Sequence, residues 1–199
     1  MRSQNKTGLN GALAAGLVLL SVSGAAHSEV LDANISGDSV RIAVSGPLSR
    51  VFSTSKGEYD LGGLYGEGDD DEDLVTAHAG VLLTGDAGAR QANVTAGLGA
   101  RLQYIGGDRD KGAALELGGK VEVRVPGYER IGFTAYAWYG PEPASFGDIE
   151  DVYEYAAALD YELLRDASIY IGYRKLSADV DRPRDLEEDG VHGGIRLDF

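Results

Sequence analysis

The sequence predicts an all-β protein, an antiparallel up-and-down transmembrane β-barrel. Apolar and polar residues alternate with a period of two over many segments, the connections between these segments are alternately short and long, and the chain ends on an aromatic residue. In residues 189–199 the two phases are Val191, Ile195, Leu197 and Phe199 on one side and His192, Arg196 and Asp198 on the other. This alternation is the signature of strands that separate two unlike environments, as in outer-membrane barrels.

The first 28 residues have the layout of a secretory signal peptide. Arg2 and Lys6 precede an apolar run over residues 11–22, and small residues follow over 23–28. The apolar run is shorter than the roughly 20 residues that a membrane-spanning helix needs. We therefore expect a leader of residues 1–28, cleaved within 26–28, and a barrel domain of residues 29–199.

The composition limits what the mature chain does. It has the length of one domain and contains no cysteine, which excludes thiolate chemistry and cysteine metal sites. The formal charge of -14 becomes -16 when Arg2 and Lys6 are removed. Such acidity argues against binding to nucleic acid, whose phosphates would repel the chain. Beyond residue 28 no stretch is apolar and long enough for a membrane helix, so only a barrel could span a membrane.

Ten strands are predicted. They cover residues 29–36, 39–46, 57–66, 73–84, 92–105, 112–125, 129–139, 151–164, 167–180 and 189–199. The fifth is the clearest, because Val94, Leu98 and Leu102 alternate with polar and glycine residues over a dozen positions. An eight-strand alternative would begin at residue 57 and leave 29–56 as a periplasmic arm. Ten strands are favoured, since Val40, Ile42 and Val44 already alternate.

Periodicity alone does not say which face is inside, because a soluble barrel would turn its apolar face inward around a ligand. Aromatic residues near the strand ends, with aliphatic residues between them, favour an apolar face directed to lipid. The predicted membrane-interface aromatics are Tyr104, Tyr139, Tyr153, Tyr155, Tyr161, Tyr173 and Phe199. The opposite face then lines the lumen.

Charge divides along the same lines. The long connections, over residues 67–72, 106–111, 141–150 and 181–188, are strongly acidic and are predicted to be extracellular loops. The lumen phase carries equal numbers of acids and bases: Arg101, Glu116, Lys120, Glu122, Arg124, Arg130, Glu154, Asp160, Glu162, Arg174, Arg196 and Asp198. Because charges in a narrow interior are costly unless paired, this balance predicts a structural network of ion pairs.

Several segments resemble the YfaZ family of predicted outer-membrane proteins. They are Ser145-Phe146-Gly147-Asp148, Tyr153-Glu154-Tyr155, Tyr170-Ile171-Gly172-Tyr173-Arg174, the turn at residues 84–88 and the stretch from Asp189 to Phe199. The resemblance covers most of the mature chain and is weak over residues 47–72. It implies an exported outer-membrane barrel, and it carries over no catalytic or binding residues.

Residues with possible chemistry have simpler interpretations. His192 lies in the lumen phase near the predicted outer rim without a positioned serine or water-activating pair, so it is read as structural, as is His78. The run Asp69–Asp73 lacks the glycine and the bidentate glutamate of a calcium loop, and is read as a solvated loop. Tyr136 and Trp138 fall on the inward phase and are read as lumen packing.

The leading function is therefore a non-enzymatic outer-membrane barrel with a charge-paired lumen and acidic extracellular loops, acting in envelope structure or surface interactions. A narrow pore or small-solute carrier is the alternative, and a rim-active protease or lipid-modifying enzyme is a third class. No catalytic residue, cofactor or metal is expected. The expected partners are outer-membrane lipid and lipopolysaccharide, together with the barrel-assembly machinery through the strand that ends at Phe199, and the chain is expected to be a monomer.

Overall fold

The computed structural model describes residues 29–50, 57–67, 73–87, 93–107, 110–180 and 186–199. The predicted signal peptide lies outside these residues. So do the acids of residues 69–72 and parts of two other predicted acidic loops, at 108–109 and 181–185.

Eleven β-strands make up the described chain. They are β1 (Val30–Ile35), β2 (Ser39–Pro47), β3 (Glu58–Glu67), β4 (Asp73–Asp86), β5 (Asn93–Gly106), β6 (Lys111–Val125), β7 (Tyr128–Gly140), β8 (Ser145–Gly147), β9 (Ile149–Leu164), β10 (Ala167–Val180) and β11 (Leu186–Asp198). Two short 3-10 helices, Leu48–Arg50 and Glu142–Ala144, lie between strands. No helix in the described ranges is long and apolar enough to cross a bilayer.

Ten of these strands form a closed antiparallel barrel. Each pairs with its neighbour along the chain, apart from the short β8, and the ring closes where β1 pairs with β11, with Val30 opposite Asp198. The predicted all-β antiparallel barrel architecture and the ten-strand count are confirmed, because β1 and β2 are both part of the wall. Closure pairs β1 on both sides along its whole length, while residues 186–192 of β11 extend beyond β1 at the loop end.

The first and last described residues, Glu29 and Phe199, lie at the same end of the barrel. Glu29 and Phe199 exchange backbone hydrogen bonds of 3.0 and 2.9 Å between their N–H and carbonyl groups. We call this the terminal end; it also carries the short β9–β10 connection at Arg165 and Asp166. The opposite end, which carries the connections that begin after β3, β5, β7 and β10, is the loop end.

The strands alternate between a buried inner face and an exposed outer face. In β4, Leu74, Thr76 and His78 are buried. Val75, which lies between Leu74 and Thr76, is exposed, and so is Val81 further along the strand. A side-chain period of two places successive residues on opposite faces, so this pattern follows directly from the sequence. The outer face is apolar, and the inner face is mainly polar except at one end of the barrel, where buried aliphatic residues such as Leu74 point inward.

The short strand β8 was not predicted. It pairs with Gly112–Ala114 of β6, beyond the point where β7 pairs with that strand, and so extends the wall at the loop end. Gly147 ends β8 with φ of 85°, a conformation that favours glycine. A Cβ at this position would lie 2.6 Å from the carbonyl oxygen of Lys111, so the close approach also requires glycine.

Two strands begin earlier than predicted, β9 at Ile149 and β11 at Leu186. The reason is a buried apolar cluster inside the loop end, which holds the first residues of both strands in the wall. We call this cluster the apolar plug: Leu64, Leu74, Ile105, Ala114, Ile149, Val152, Leu176, Ala178, Val180 and Leu186. Because β11 starts at Leu186, Glu188 faces the barrel interior and is buried, although the sequence placed it on the outer acidic rim.

Candidate functional site

The middle of the barrel holds a fully buried charge cluster. The Nε of Arg101 in β5 donates to Glu116 Oε2 of β6 at 2.5 Å, and its Nη2 donates to Glu154 Oε2 of β9. The hydroxyl of Tyr136 in β7 donates to the other oxygen of Glu154 at 2.7 Å. Arg101 is 1 % exposed and Glu116 is 0 % exposed, so this pairing takes place almost without water. Four strands are thereby joined across the interior.

A second cluster lies at the seam where the barrel closes. Arg174 of β10 donates to both oxygens of Glu188 in β11, from Nε at 3.1 Å and from Nη2 at 3.0 Å. Its Nη1 donates to Asn34 Oδ1 of β1 at 3.1 Å, and the Ser39 hydroxyl of β2 donates to Glu188 Oε1 at 2.6 Å. The planar fork of arginine suits this paired geometry. The cluster connects the first two strands to the last two.

A third group extends the seam towards the terminal end. The Tyr170 hydroxyl donates to Asp32 Oδ1 at 2.6 Å, and Arg196 Nε lies 3.4 Å from Asp32 Oδ2. The Arg196 guanidinium also lies 5.2 Å from the centre of the Tyr170 ring. Gly194 makes room for that ring, because a Cβ there would lie 2.5 Å from it.

The remaining interior pairs lie closer to the terminal end. Lys120 Nζ is 2.8 Å from Glu58 Oε1 and 3.2 Å from Glu122 Oε1. Arg124 pairs with Asp160 on the opposite side of β7. The side chain of Lys120 is 21 % exposed, compared with 1 % for Arg101, so these pairs are better hydrated than the central cluster.

The structure brings nine of the twelve predicted network residues into ion pairs. The other three are Arg130, which is exposed at the terminal end, and Glu162 and Asp198, which line the mouth of the interior there; within the described chain none of them has an ion-pair partner inside 4 Å. Sequence reasoning missed Asp32, Glu58 and Glu188 as partners. The alternation could have identified two of them, because Asp32 in β1 and Glu58 in β3 occupy inward-facing positions. The predicted lumen residues, however, were taken only from the later strands.

Both histidines lie inside. His78 Nε2 is 3.2 Å from Asp60 Oδ2, a partner that no motif in the sequence indicated. His192 lies midway along β11 rather than near the outer rim, with its ring edge-on to Tyr170 at 5.8 Å. Its Nδ1 is buried and has no hydrogen-bond partner among the described residues. That part of the chain also holds no group of three or more His, Asp or Glu side chains placed to bind a metal ion.

The predicted interface aromatics lie on the outer face. Tyr104, Tyr139, Tyr155, Tyr161, Tyr173 and Phe199 are exposed, and Tyr153 is half-buried because its ring stacks on that of Tyr155 with centres 6.4 Å apart. Trp138 and Tyr136, by contrast, point inward. The Trp138 ring lies 4.8 Å from the Arg101 guanidinium and is buried.

A cavity of about 430 Å³ remains between the charge clusters and the terminal end. Its inner wall includes Arg101, Trp138 and Arg174, and its mouth includes Pro47, Gly57 and Arg165. No residue of the apolar plug lines it. The barrel interior is therefore a cup that extends from mid-barrel to the terminal end and is closed by apolar side chains at the loop end.

Comparison with known families supports the reading of the fold. Residues 9–199 match the family described as YfaZ precursor. The chain belongs to the YfaZ precursor family. The match spans nearly the whole sequence, including the region of residues 47–72 where the resemblance was weak. No curated protein matches the chain.

In this YfaZ-family barrel one interior cation differs from the others. Arg41 of β2 has no hydrogen bond and no ion pair within 4 Å in the described chain; its guanidinium lies 6.0 Å from the ring centre of Tyr136. Strand β2 and strand β7 are five steps apart in either direction around the ring, so Arg41 reaches across the cavity towards the opposite wall. Glu154, Asp32 and Asp60 act on it electrostatically from longer range.

Proposed function

We propose that this protein is an outer-membrane β-barrel that spans the bilayer with its ten strands, has a closed, charge-paired lumen and acts without catalysis in envelope structure or surface interactions. The observation that carries the proposal is the inverted polarity of the wall. Large apolar residues are exposed on the outer face of every long strand, for example Leu61, Val81, Leu98, Leu117, Leu159, Ile171 and Val191. Arginine and glutamate are buried inside.

Lipid is the environment that matches such a surface. Soluble monomers rarely expose a continuous apolar patch larger than a few hundred Å². Here the apolar surface continues around the ring, with Tyr65, Tyr104, Tyr139 and Tyr173 towards the loop end and Tyr128, Tyr161 and Phe199 towards the terminal end. Aromatic residues at both ends of an aliphatic band are typical of membrane barrels. In this arrangement the terminal end faces the periplasm.

The closed lumen supports an envelope role over an open conduit. The apolar plug fills the loop end, and the central arginine cluster crosses the middle of the barrel. Ten strands leave an interior near the limit that side chains fill, far from the 16 to 18 strands of porins. The cavity keeps a narrow pore or carrier as the second candidate, with the plug as the part that would have to open.

The proposed partners follow from this placement. The outer face would contact lipid, and the acidic connections at the loop end would face the anionic lipopolysaccharide surface, where divalent cations could bridge the two. Strand β11 and Phe199 would be the segment that the barrel-assembly machinery engages during insertion. The mature chain would act as a monomer, because ring closure pairs the strands along most of their length and leaves little strand edge for a partner.

The decisive test compares insertion of two arginine variants. Leu98 is 75 % exposed near the middle of β5, and Leu164 is 69 % exposed at the terminal end of β9. If the face contacts lipid, Leu98→Arg should destabilise the inserted barrel by about 2–4 kcal/mol, and Leu164→Arg by about 0–1 kcal/mol. Fractionation of cells and the migration of unboiled against boiled protein on denaturing gels would measure insertion. Equal tolerance of both changes, or a barrel that is soluble without detergent, would refute the proposal.

Two measurements separate the alternatives. In planar bilayers the refolded wild-type protein should give no discrete conductance steps, whereas regular openings would favour the pore. For the enzyme class, His192→Asn should leave any hydrolytic activity of the purified protein unchanged. Loss of such an activity with retained folding would point to a catalytic role for His192.

A further inference from the structure

The barrel interior has the features of a small-molecule site, independent of whether the outer face contacts lipid. Its volume of about 430 Å³ lies within the range of ligand pockets. The wall is mixed: Ala43, Leu82 and Ala156 are buried apolar residues that line it, and Tyr136 and Trp138 add aromatic surface. Pockets of this kind use a few fixed polar groups to orient a largely apolar ligand.

Arg41 supplies such a polar group. The guanidinium has five N–H donors, and none of them meets an acceptor among the described residues. By contrast, Arg101, Lys120, Arg124, Arg174 and Arg196 each contact at least one carboxylate within 4 Å. Arginine binds carboxylate and phosphate groups through two parallel hydrogen bonds. The unfilled donors of Arg41 therefore suit an oxyanion that comes from outside the chain.

The surroundings of Arg41 restrict the rest of the ligand. Tyr136 faces the guanidinium across the cavity, and His192, which packs edge-on against Tyr170, lines the same space. A flat or apolar body next to the oxyanion would pack against Tyr136 and the apolar wall. The charges beside Arg41 on the inner wall are already paired, and within the described chain the unpaired Glu162 and Asp198 line only the mouth, so a second charged group next to Arg41 would find no free counter-ion there.

The direction of entry follows from the two ends of the interior. At the loop end the apolar plug closes the lumen, and the connections there are strongly acidic. Both features oppose the passage of an anion. At the terminal end the cavity continues to its mouth beside Arg165.

We propose that the cavity binds a small organic anion, a carboxylate or phosphate on a flat apolar body, which enters from the terminal end and is held by Arg41 against Tyr136. Trp138 is the only tryptophan of the chain and lines this cavity, so its fluorescence reports on binding without a label.

The test titrates the refolded mature protein in detergent with benzoate, phenyl phosphate, benzamide and benzylamine. Benzoate or phenyl phosphate should change Trp138 fluorescence saturably, and the better of the two identifies the preferred oxyanion. The neutral amide and the cation should bind at least about tenfold more weakly, since they lack the charge-assisted pair with arginine. Equal responses to all four probes, or none to either anion, would overturn the proposal.

Variants assign the effect to Arg41. Arg41→Gln should weaken binding of the preferred anion by about tenfold or more, while Arg41→Lys should retain part of it. The control is Arg130→Gln, because Arg130 is an exposed arginine at the terminal end that does not line the cavity. Each variant is first checked for unchanged gel migration before boiling. Anion binding that survives in a folded Arg41→Gln protein would refute the assignment.

Entry is tested with single cysteines, which are unique labels because the chain has none. Ser45→Cys lines the cavity towards the terminal end, and Gly37→Cys lies exposed at the loop end. A bulky maleimide at Ser45→Cys should abolish anion binding, and the same label at Gly37→Cys should leave it unchanged. The reverse pattern would place the entrance at the loop end.

Discussion

The two halves of the barrel interior are built from different chemistry. Near the loop end the inward side chains are aliphatic and form a dry plug, whereas from mid-barrel to the terminal end they are charged, hydrogen-bonded and arranged around a cavity. Both halves belong to the same ten strands, and the outer face is apolar along both. The difference shows that the strand pattern sets a barrel wall, while the identity of the inward residues decides where the lumen is closed.

The largest effect should come from removing Arg101, which lies at the boundary between the two halves. Arg101→Met would leave Glu116 and Glu154 buried together without a cation in contact with either. Breaking a buried pair in this way destabilises proteins by about 3–5 kcal/mol. Urea unfolding in detergent or lipid vesicles, followed by Trp138 fluorescence, would measure the loss. A change below about 1 kcal/mol would mean that the two carboxylates are protonated or hydrated in the barrel.

The apolar half is tested at Leu176, which is 2 % exposed within the plug. Leu176→Ala should destabilise the barrel by about 2–5 kcal/mol, because it removes buried methyl groups and leaves a cavity. The volume-conserving change Leu176→Met should cost less than about 1.5 kcal/mol. If the plug is what closes the lumen, the alanine variant should also give brief conductance events that the methionine variant lacks. Equal stability of the two variants would show that the plug is loosely packed.

The sequence predicted the polar half of the interior better than the apolar half. The period of two predicted the ten strands and the inward direction of Arg101, Glu154 and Arg174, because alternation determines the face of each residue without knowledge of its neighbours. The sequence also contains an indication of the plug, because the inward residues of β10 change from the charged Arg174 to the apolar Leu176 and Ala178. No single strand shows, however, that such residues from seven strands meet inside one end of the ring.

The sequence also could not predict which residues pair across the barrel, because such contacts involve several strands at once. Arg101 and Glu154 are 53 positions apart, and Arg174 and Asn34 are 140 apart, so their contact depends on closure of the ring. Glu188 was assigned to the rim because the start of β11 was placed three residues too late, and strand limits are set by packing against the plug rather than by local alternation.

A smaller effect should appear at Lys120, in the hydrated part of the polar half. Lys120→Met removes contacts with Glu58 and Glu122, but these side chains are 23 % and 43 % exposed and remain accessible to water in the cavity. We expect a loss of about 1 kcal/mol, the upper range for exposed pairs, which decreases with added salt. The comparison with Arg101→Met at low and high salt measures how strongly hydration differs between mid-barrel and mouth. A loss as large as that of Arg101→Met would contradict a water-filled cup.

The smallest expected effect concerns the outside of the loop end, beyond the aromatic residues. Partial burial and the nearby Asp151 carboxylate raise the pKa of Asp179 above its ordinary value. An acid with a raised pKa in the folded state costs stability when ionised, so this cost disappears as the pH falls through the raised pKa and is absent below the ordinary one. Asp179→Asn should therefore stabilise the barrel at neutral pH by a few tenths of a kcal/mol, and not at all in acid. Urea unfolding of both proteins across this pH range would measure the difference, with Glu150→Gln as an exposed control on β9. A stabilisation that is independent of pH would assign the effect to something other than charge repulsion at this end of the barrel.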